Sequence, residues 1–181
     1  MAAKTLLTYA DYAALPDDGR RYELHAGELS VTPAPNTRHQ RVSLNLATLL
    51  HVHVKSRGLG EVLVAPVDCI LSNITVVQPD ILFVARERMS IVSERAVEGA
   101  PTLVVEILSP PTTGVDLGRK RALYADHGVP CYWIVDPEAR RIEVLSLAGG
   151  GWQPAGELAG TAPRPLPPFP DLLLDPADIW A

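Results

Sequence analysis

The sequence predicts a mixed α/β domain, and three features of its patterning carry that prediction. Two-residue alternation of apolar side chains marks "RYELHAGELSV" (residues 21–31) as paired strands. Helical spacing follows from Thr37 and stops at Gly58 and Gly60. Short apolar runs recur at "VVQPDILFVA", "PTLVVEILSPP" and "CYWIVD", as they do in buried strands. The resulting order is hairpin, helix, strands, helix, strands, which is not that of a regular doubly wound fold.

The hairpin turns at Ala26-Gly27 and is expected to place Tyr22, Leu24, Leu29 and Val31 on its apolar side. "TPAPN" breaks the chain, and Thr37 opens a helix with Gln40 as its capping-box partner. Val42, Leu46, Leu49 and His53 form the buried stripe of that helix, while Arg38, Arg41 and Asn45 occupy another face. "EVLVAPVDCILS" and "VVQPDILFVA" read as two strands around a turn at residues 72–75. Residues 86–99 are charged and partly helical, residues 103–108 form the central strand, and residues 116–127 form a second helix stopped by Gly128 and Pro130. "CYWIVD" and "RIEVLSL" are closing strands joined by "PEAR". From Gly149 onward Gly and Pro dominate, until "PDLLLDPADIW" supplies a short closing element. A single domain is expected over residues 1–181, with its core at about 20–148 and a Gly/Pro-rich segment at 149–181.

With 181 residues, 47% hydrophobic and 20% charged, the chain has enough apolar surface for a sizeable core. No run reaches the ~18 apolar residues of a membrane span, and the N-terminus shows no apolar segment before a small-residue cleavage site. A cytoplasmic protein away from the membrane is therefore expected. Cys69 and Cys131 fit neither zinc nor redox spacing and are expected to be buried free thiols. A net charge of -5 argues against a broad electrostatic grip on nucleic acid but permits a local one. Basic residues gather at Arg38 with Arg41, at Lys55 with Arg57, and at Arg119 to Arg121. A solvated helix face is the ordinary reading of any one such cluster.

Two carboxylates interrupt apolar strands, Asp80 in "VVQPDILFV" and Glu106 in "TLVVEILS". An ionised carboxylate so placed costs several kcal/mol unless something compensates it. Alternation puts Asp80 on the face of Leu82 and Glu106 on that of Val104 and Leu108, so neighbouring strands would direct both acids into one pocket. A divalent cation is the natural compensator, and Mg²⁺ takes one or two carboxylates while keeping waters. Asp68 in "APVDCI" is a third acid of this kind. For each acid alone, a strand-end cap or an arginine pair is the simpler role. On the second helix Lys120 falls between Leu117 and Tyr124, where it can reach the pocket or extend to water.

These segments, with "RYELHAGELSVTPAPNTRHQ" and "KRALYADHGVPCYWIVDPEARRIEVL", resemble the restriction endonuclease family called Uma-two, within the PD-(D/E)XK nuclease superfamily. The resemblance runs from about Thr8 to the final "LLLDPADIW". It implies a restriction endonuclease-like core, a central mixed sheet flanked by helices, with the N-terminal hairpin attached. It also implies a metal-dependent endonuclease that hydrolyses phosphodiester bonds of nucleic acid, DNA in the first instance, with Mg²⁺ or Mn²⁺ as cofactor. Carried over by position, Asp80 is the aspartate of "PD" and Glu106 the acid of "ExK", and both are metal ligands. The lysine position of "ExK" holds Leu108, so Lys120 on the following helix is its expected substitute. Glu23, His39 and Asp68 match further family positions as supporting site candidates. Tyr124 and Asp136 match as well, and both are expected to be structural. Arg38 and Arg41, at the N-terminal end of a helix, are expected to meet nucleic-acid phosphates. Cleavage of a duplex by one site per chain implies a homodimer.

Two other readings stay open. A binding or assembly module on a degenerate nuclease fold is favoured by the absent "ExK" lysine and the acidic net charge. A metal-free acid–base pair of glycosidase type is disfavoured by the 6% aromatic content. Nucleotide hydrolysis is excluded, because in "GVDLGRKRA" the glycines are too close and Arg121 stands where Ser or Thr is required.

Overall fold

Proline placement divides the chain between two sheets, and the site lies where they part. The computed structural model describes residues 5–109 and 115–181, with side chains from residue 118 in the second span. The expected inward face at Leu117 therefore lies outside the described residues, as do the extreme N-terminus and residues 110–114.

A short helix α1 (Tyr9–Ala13), capped by a Thr8–Asp11 box, precedes the hairpin β1 (Arg21–His25) and β2 (Glu28–Thr32). Ala26 and Gly27 take φ of 50° and 81°, the paired positive values of a tight two-residue hairpin. Helix α2 (Thr37–Arg57) starts at Asn36, whose side chain accepts from His39 N, and ends at Gly58 in the left-handed region. The expected Thr37–Gln40 box is therefore replaced by an Asn cap one residue earlier, an equally good acceptor.

Each of the two long apolar runs expected as a single strand is broken in its middle by proline. "EVLVAPVDCILS" splits into β3 (Gly60–Val64) and β4 (Asp68–Ser72), and "VVQPDILFVA" into β5 (Thr75–Val77) and β6 (Ile81–Ala85). Pro66 and Pro79 donate no N–H to a ladder, so pairing stops at each. A 3₁₀ turn (Arg86–Ile91) and the short β7 (Ala96–Val97) follow, in keeping with a partly helical segment. Next come β8 (Leu103–Ile107), α3 (Val115–Asp126), β9 (Cys131–Asp136) and β10 (Arg141–Ala148).

The C-terminal segment contains more regular structure than its composition suggested: β11 (Gly151–Leu158), β12 (Arg164–Leu166), β13 (Phe169–Leu174) and α4 (Pro176–Trp180). Pro154 is tolerated because β11 is an edge strand and its ladder is irregular at that point.

One sheet has the order β11-β10-β9-β8-β6-β3 and the other β2-β1-β5-β4-β7, with β12-β13 as a separate ribbon. Both large sheets are mixed, since β8 pairs parallel with β9 and β4 with β7 among antiparallel neighbours. Alternation sorts the core. Leu103, Val105 and Ile107 of β8 pack with Val42, Leu46, Leu50 and Val54 of α2, and Phe169 and Ile179 close the same cluster. Val104 faces the other way, with Leu82, Tyr132 and the α3 residues Leu123 and Tyr124. Cys69 and Cys131 are buried free thiols. Leu29 and Val31 do not join a core: β2 is an edge strand, and they are 39% and 53% exposed. Among the described residues no helix is long and apolar enough to cross a membrane.

Leu50 is fully buried whereas Leu44 on the same helix is 68% exposed. Leu50→Ala is expected to cost about 2–5 kcal/mol in urea unfolding, and Leu44→Ala less than about 0.5 kcal/mol.

Candidate active site

The antiparallel register of β6 and β8 matches Ile81 with Val105 and Leu82 with Val104. One step further, Asp80 comes opposite Glu106. Asp80 Oδ2 accepts from the Ile107 amide at 2.8 Å and meets His39 Nε2 at 3.1 Å. His39 is delivered by the first turn of α2, where its own amide is held by Asn36 at 2.9 Å. Glu106 shares the face of Val104 and so looks toward α3. There Lys120 and Tyr124, four residues apart on one helix face, both reach its Oε1. Lys120 Nζ stands at 3.1 Å and the Tyr124 hydroxyl donates at 2.5 Å.

The third acid comes from the other sheet. Glu23 on β1 places Oε1 2.9 Å from Lys120 Nζ and accepts there from the Gln78 amide at 2.7 Å. Its Oε2 meets His25 Nε2 at 3.1 Å. Glu23, Asp80, Glu106, His39 and Lys120 are all buried, the last three at 8%, 6% and 8% exposure. They line one cleft together with Arg21, Gln78 and Leu108.

Charge in so dry a place reshapes titration. Burial pushes the Glu106 carboxyl up to about 7, and the nearby Asp80 and Glu23 charges add to this, while Lys120 opposes it. Burial also acts upward on Glu23, yet the Lys120 ammonium, the His25 hydrogen bond and the Gln78 amide outweigh it and hold the carboxyl down at about 2. Burial disfavours the Lys120 ammonium, but Glu106 and Glu23 more than reverse that, so the group stays charged. Burial, together with Glu106, drives the Tyr124 phenol well above its ordinary value, which leaves it a hydrogen-bond donor.

Among the described residues, no group of three or more His, Cys, Asp or Glu side chains is arranged to enclose a metal ion. The donors do suit a cation that keeps most of its waters. Asp80 uses only Oδ2 and Glu106 only Oε1 in hydrogen bonds, leaving Asp80 Oδ1 and Glu106 Oε2 without a hydrogen-bond partner among the described residues. Two hard carboxylate oxygens bordering one buried cleft fit Mg²⁺ or Mn²⁺.

Not every expected residue joins this cleft. Asp68 lines a separate one, where its Oδ1 accepts from the Tyr12 hydroxyl and from Gln78. Arg38 and Arg41 line a third with Glu138 and Arg140, and exposed Arg38 pairs with Glu138 at 3.4 Å. They flank His39 in sequence but occupy another helix face. Asp136 is structural, accepting from the Glu138 and Ala139 amides of its turn. Tyr124, expected to be structural, is fully buried in the core and donates its hydroxyl to Glu106 Oε1. Its spacing four residues after Lys120 was the available signal; nothing in the sequence singled out Gln78.

Ionising Glu106 inside the fold is costly, so its contribution to stability is fullest below its unfolded pKa near 4.5 and is lost as pH rises through about 7. Glu23 has the opposite sign, stabilising above 4.5 and losing that contribution only as pH falls toward 2. Between pH 5 and 8 the Glu106 effect therefore dominates. Glu106→Gln should gain on the wild type by on the order of 1–3 kcal/mol across that interval in urea unfolding. A pH-independent difference would contradict this assignment.

Comparison with known proteins bears on the fold and the family. A crystal structure described as a putative nuclease from Anabaena variabilis ATCC 29413 is similar with a TM-score of 0.79 at 20% identity, over 96% of this chain and 97% of that one, which establishes a shared fold. No curated protein matches the chain. Residues 9–177 match the Uma2 family, described as "Putative restriction endonuclease", and the chain belongs to that family.

Proposed function

We propose that the protein is a Mg²⁺- or Mn²⁺-dependent endonuclease that hydrolyses phosphodiester bonds, with DNA as its substrate. The observation that carries this reading is the convergence of Asp80, Glu106 and Lys120 from β6's leading end, β8 and α3 on one cleft, with one oxygen of each acid left unbound. Asp80 and Glu106 would hold the ion. When bound, it supplies charge against the phosphate and lowers the pKa of an attacking water.

The chain's own groups then divide the work. His39 and the Ile107 amide fix Asp80 Oδ2, so that Oδ1 is presented to the cleft. Tyr124 fixes Glu106 in the same way. Lys120 is held as an ammonium and acts as a positive charge rather than as a base, stabilising the extra negative charge that builds on the phosphate oxygens. Glu23 sets the position of that ammonium from the other side. Leu108 lines the cleft where the "ExK" lysine would stand, and Lys120 fills the chemical role from the neighbouring helix. Arg38 and Arg41 lie outside this centre and are assigned to backbone phosphates further along a duplex. A second copy of the chain, in a cytoplasmic homodimer, would cut the opposite strand.

A binding module without catalysis is favoured by Leu108 and by the acidic net charge, and cleavage separates the two readings. Titration calorimetry should show Mn²⁺ binding in the wild type and none in Asp80→Ala or Glu106→Ala. Lys120→Ala should keep the metal but lose about 10²-fold in the rate of plasmid nicking in Mg²⁺. Lys120→Arg should rescue little, since a larger planar group cannot take the same position between two carboxylates. Unchanged nicking in Lys120→Ala would overturn the assigned role.

A further inference from the structure

A second cleft opens beside the acid cleft, and the two share Gln78. It is much roomier, about 380 Å³ against about 70 Å³, where the smaller volume holds only a few waters. Alternation along β1 explains the division: Arg21 and Glu23 face the acid cleft, and Tyr22 faces this one. Its walls are aromatic and charged, with Tyr9, Tyr12, Tyr22, Arg20, Arg95 and Asp68 among them.

The Tyr9 and Tyr12 rings lie 6.3 Å apart at 24° between planes. The Tyr12 hydroxyl donates to Asp68 Oδ1 at 2.8 Å, and Gln78 Nε2 donates to the same oxygen at 2.9 Å. Asp68 Oδ2 has no hydrogen-bond partner among the described residues. Arg20 is held by Asp18 at 3.6 Å, whereas exposed Arg95 makes no ion pair among the described residues. Asp68, Arg95 and the tyrosines line the same cleft, so an acceptor, a cation and aromatic rings border one space. An acid accepts from a base's exocyclic amine, an aromatic ring stacks on the base, and arginine meets phosphate. Mixed charge in the cleft suits a base better than a polyanion.

We propose that this cleft binds an unpaired nucleobase from a single-stranded stretch of the substrate, with the ring on Tyr9, the amino group on Asp68 Oδ2 and an adjoining phosphate on Arg95. The proposal rests on reading the acid cleft as a phosphodiesterase site. Gln78 connects the two, its side chain holding Asp68 and its amide holding Glu23. Recognition of an unpaired base thereby becomes part of how substrate is chosen.

Binding is measured by fluorescence anisotropy on a short labelled single-stranded DNA in Ca²⁺ without Mg²⁺, and again on an abasic strand of the same length. Wild type should prefer the strand with bases by about tenfold. Tyr9→Ala should lose that preference, and Tyr9→Phe should keep it within about twofold, since stacking does not need the hydroxyl. Arg95→Gln, at an exposed position that leaves the fold intact, should weaken both strands alike. Equal wild-type affinity for the two strands, no binding to either, or an undiminished preference in Tyr9→Ala would each overturn the inference. Plasmid cleavage in Mg²⁺ is scored separately. Cleavage without base preference overturns this inference alone, whereas base preference without any cleavage supports the base site and overturns the nuclease reading.

Discussion

One ammonium group, that of Lys120, holds the site together. It stands 2.9 Å from Glu23 and 3.1 Å from Glu106, and these two acids belong to different sheets. Without it, two buried carboxylates would face each other in a dry cleft, a loss that typically costs 3–5 kcal/mol when one partner of a buried pair is removed. With it, burial still raises the Glu106 carboxyl, aided by the Asp80 and Glu23 charges and opposed by Lys120. The same interaction thus joins α3 to both sheets. Stability and function are in tension at this point, as strongly shifted carboxyls commonly signal.

The two sheets part because proline interrupts the chain twice. Ala65 N donates to the Asp80 carbonyl at 3.1 Å, tying the two crossing points side by side. Beyond Pro79 the chain enters the six-stranded sheet, and the aspartate beside that proline is left at the mouth of the opening. The "PD" pair is therefore a structural device before it is a chemical one: the proline ends one ladder, and the aspartate stands where the next begins. Gln78, just ahead, is positioned to serve both clefts for the same reason.

Much of this was legible in the sequence, and what was not has physical causes. Asp80 and Glu106 were conspicuous because charge in an apolar strand demands a reason; alternation along β8 set the face of Glu106, whereas Asp80 stands just ahead of β6 and meets His39 of α2. Lys120 was legible as a lysine on an inward stripe. Whether it reached the pocket depended on the helix's placement, which periodicity does not contain. Asp68 looked equivalent to Asp80 by the same test, but Pro66 sends it into the other sheet, and sequence alternation does not follow a chain across such a break. Tyr124 resembled any core tyrosine until Glu106 was placed at its hydroxyl. The exposed Leu29 and Val31 show the limit of alternation on an edge strand, where one face has no layer to cover it. In the C-terminal segment, Gly and Pro concealed β11 because an edge strand with an irregular ladder tolerates both.

If Glu106 holds a cation as proposed, its buried carboxyl should give up its proton more readily when the ion is present. The most direct test is a ¹³C NMR titration of the Glu106 side-chain carboxyl, assigned through Glu106→Gln, with and without Mg²⁺. A midpoint near 7 is expected in the absence of the ion, and a displacement well below that in its presence. A midpoint near the ordinary glutamate value of about 4.3 without metal, or one that Mg²⁺ leaves unmoved, would contradict it.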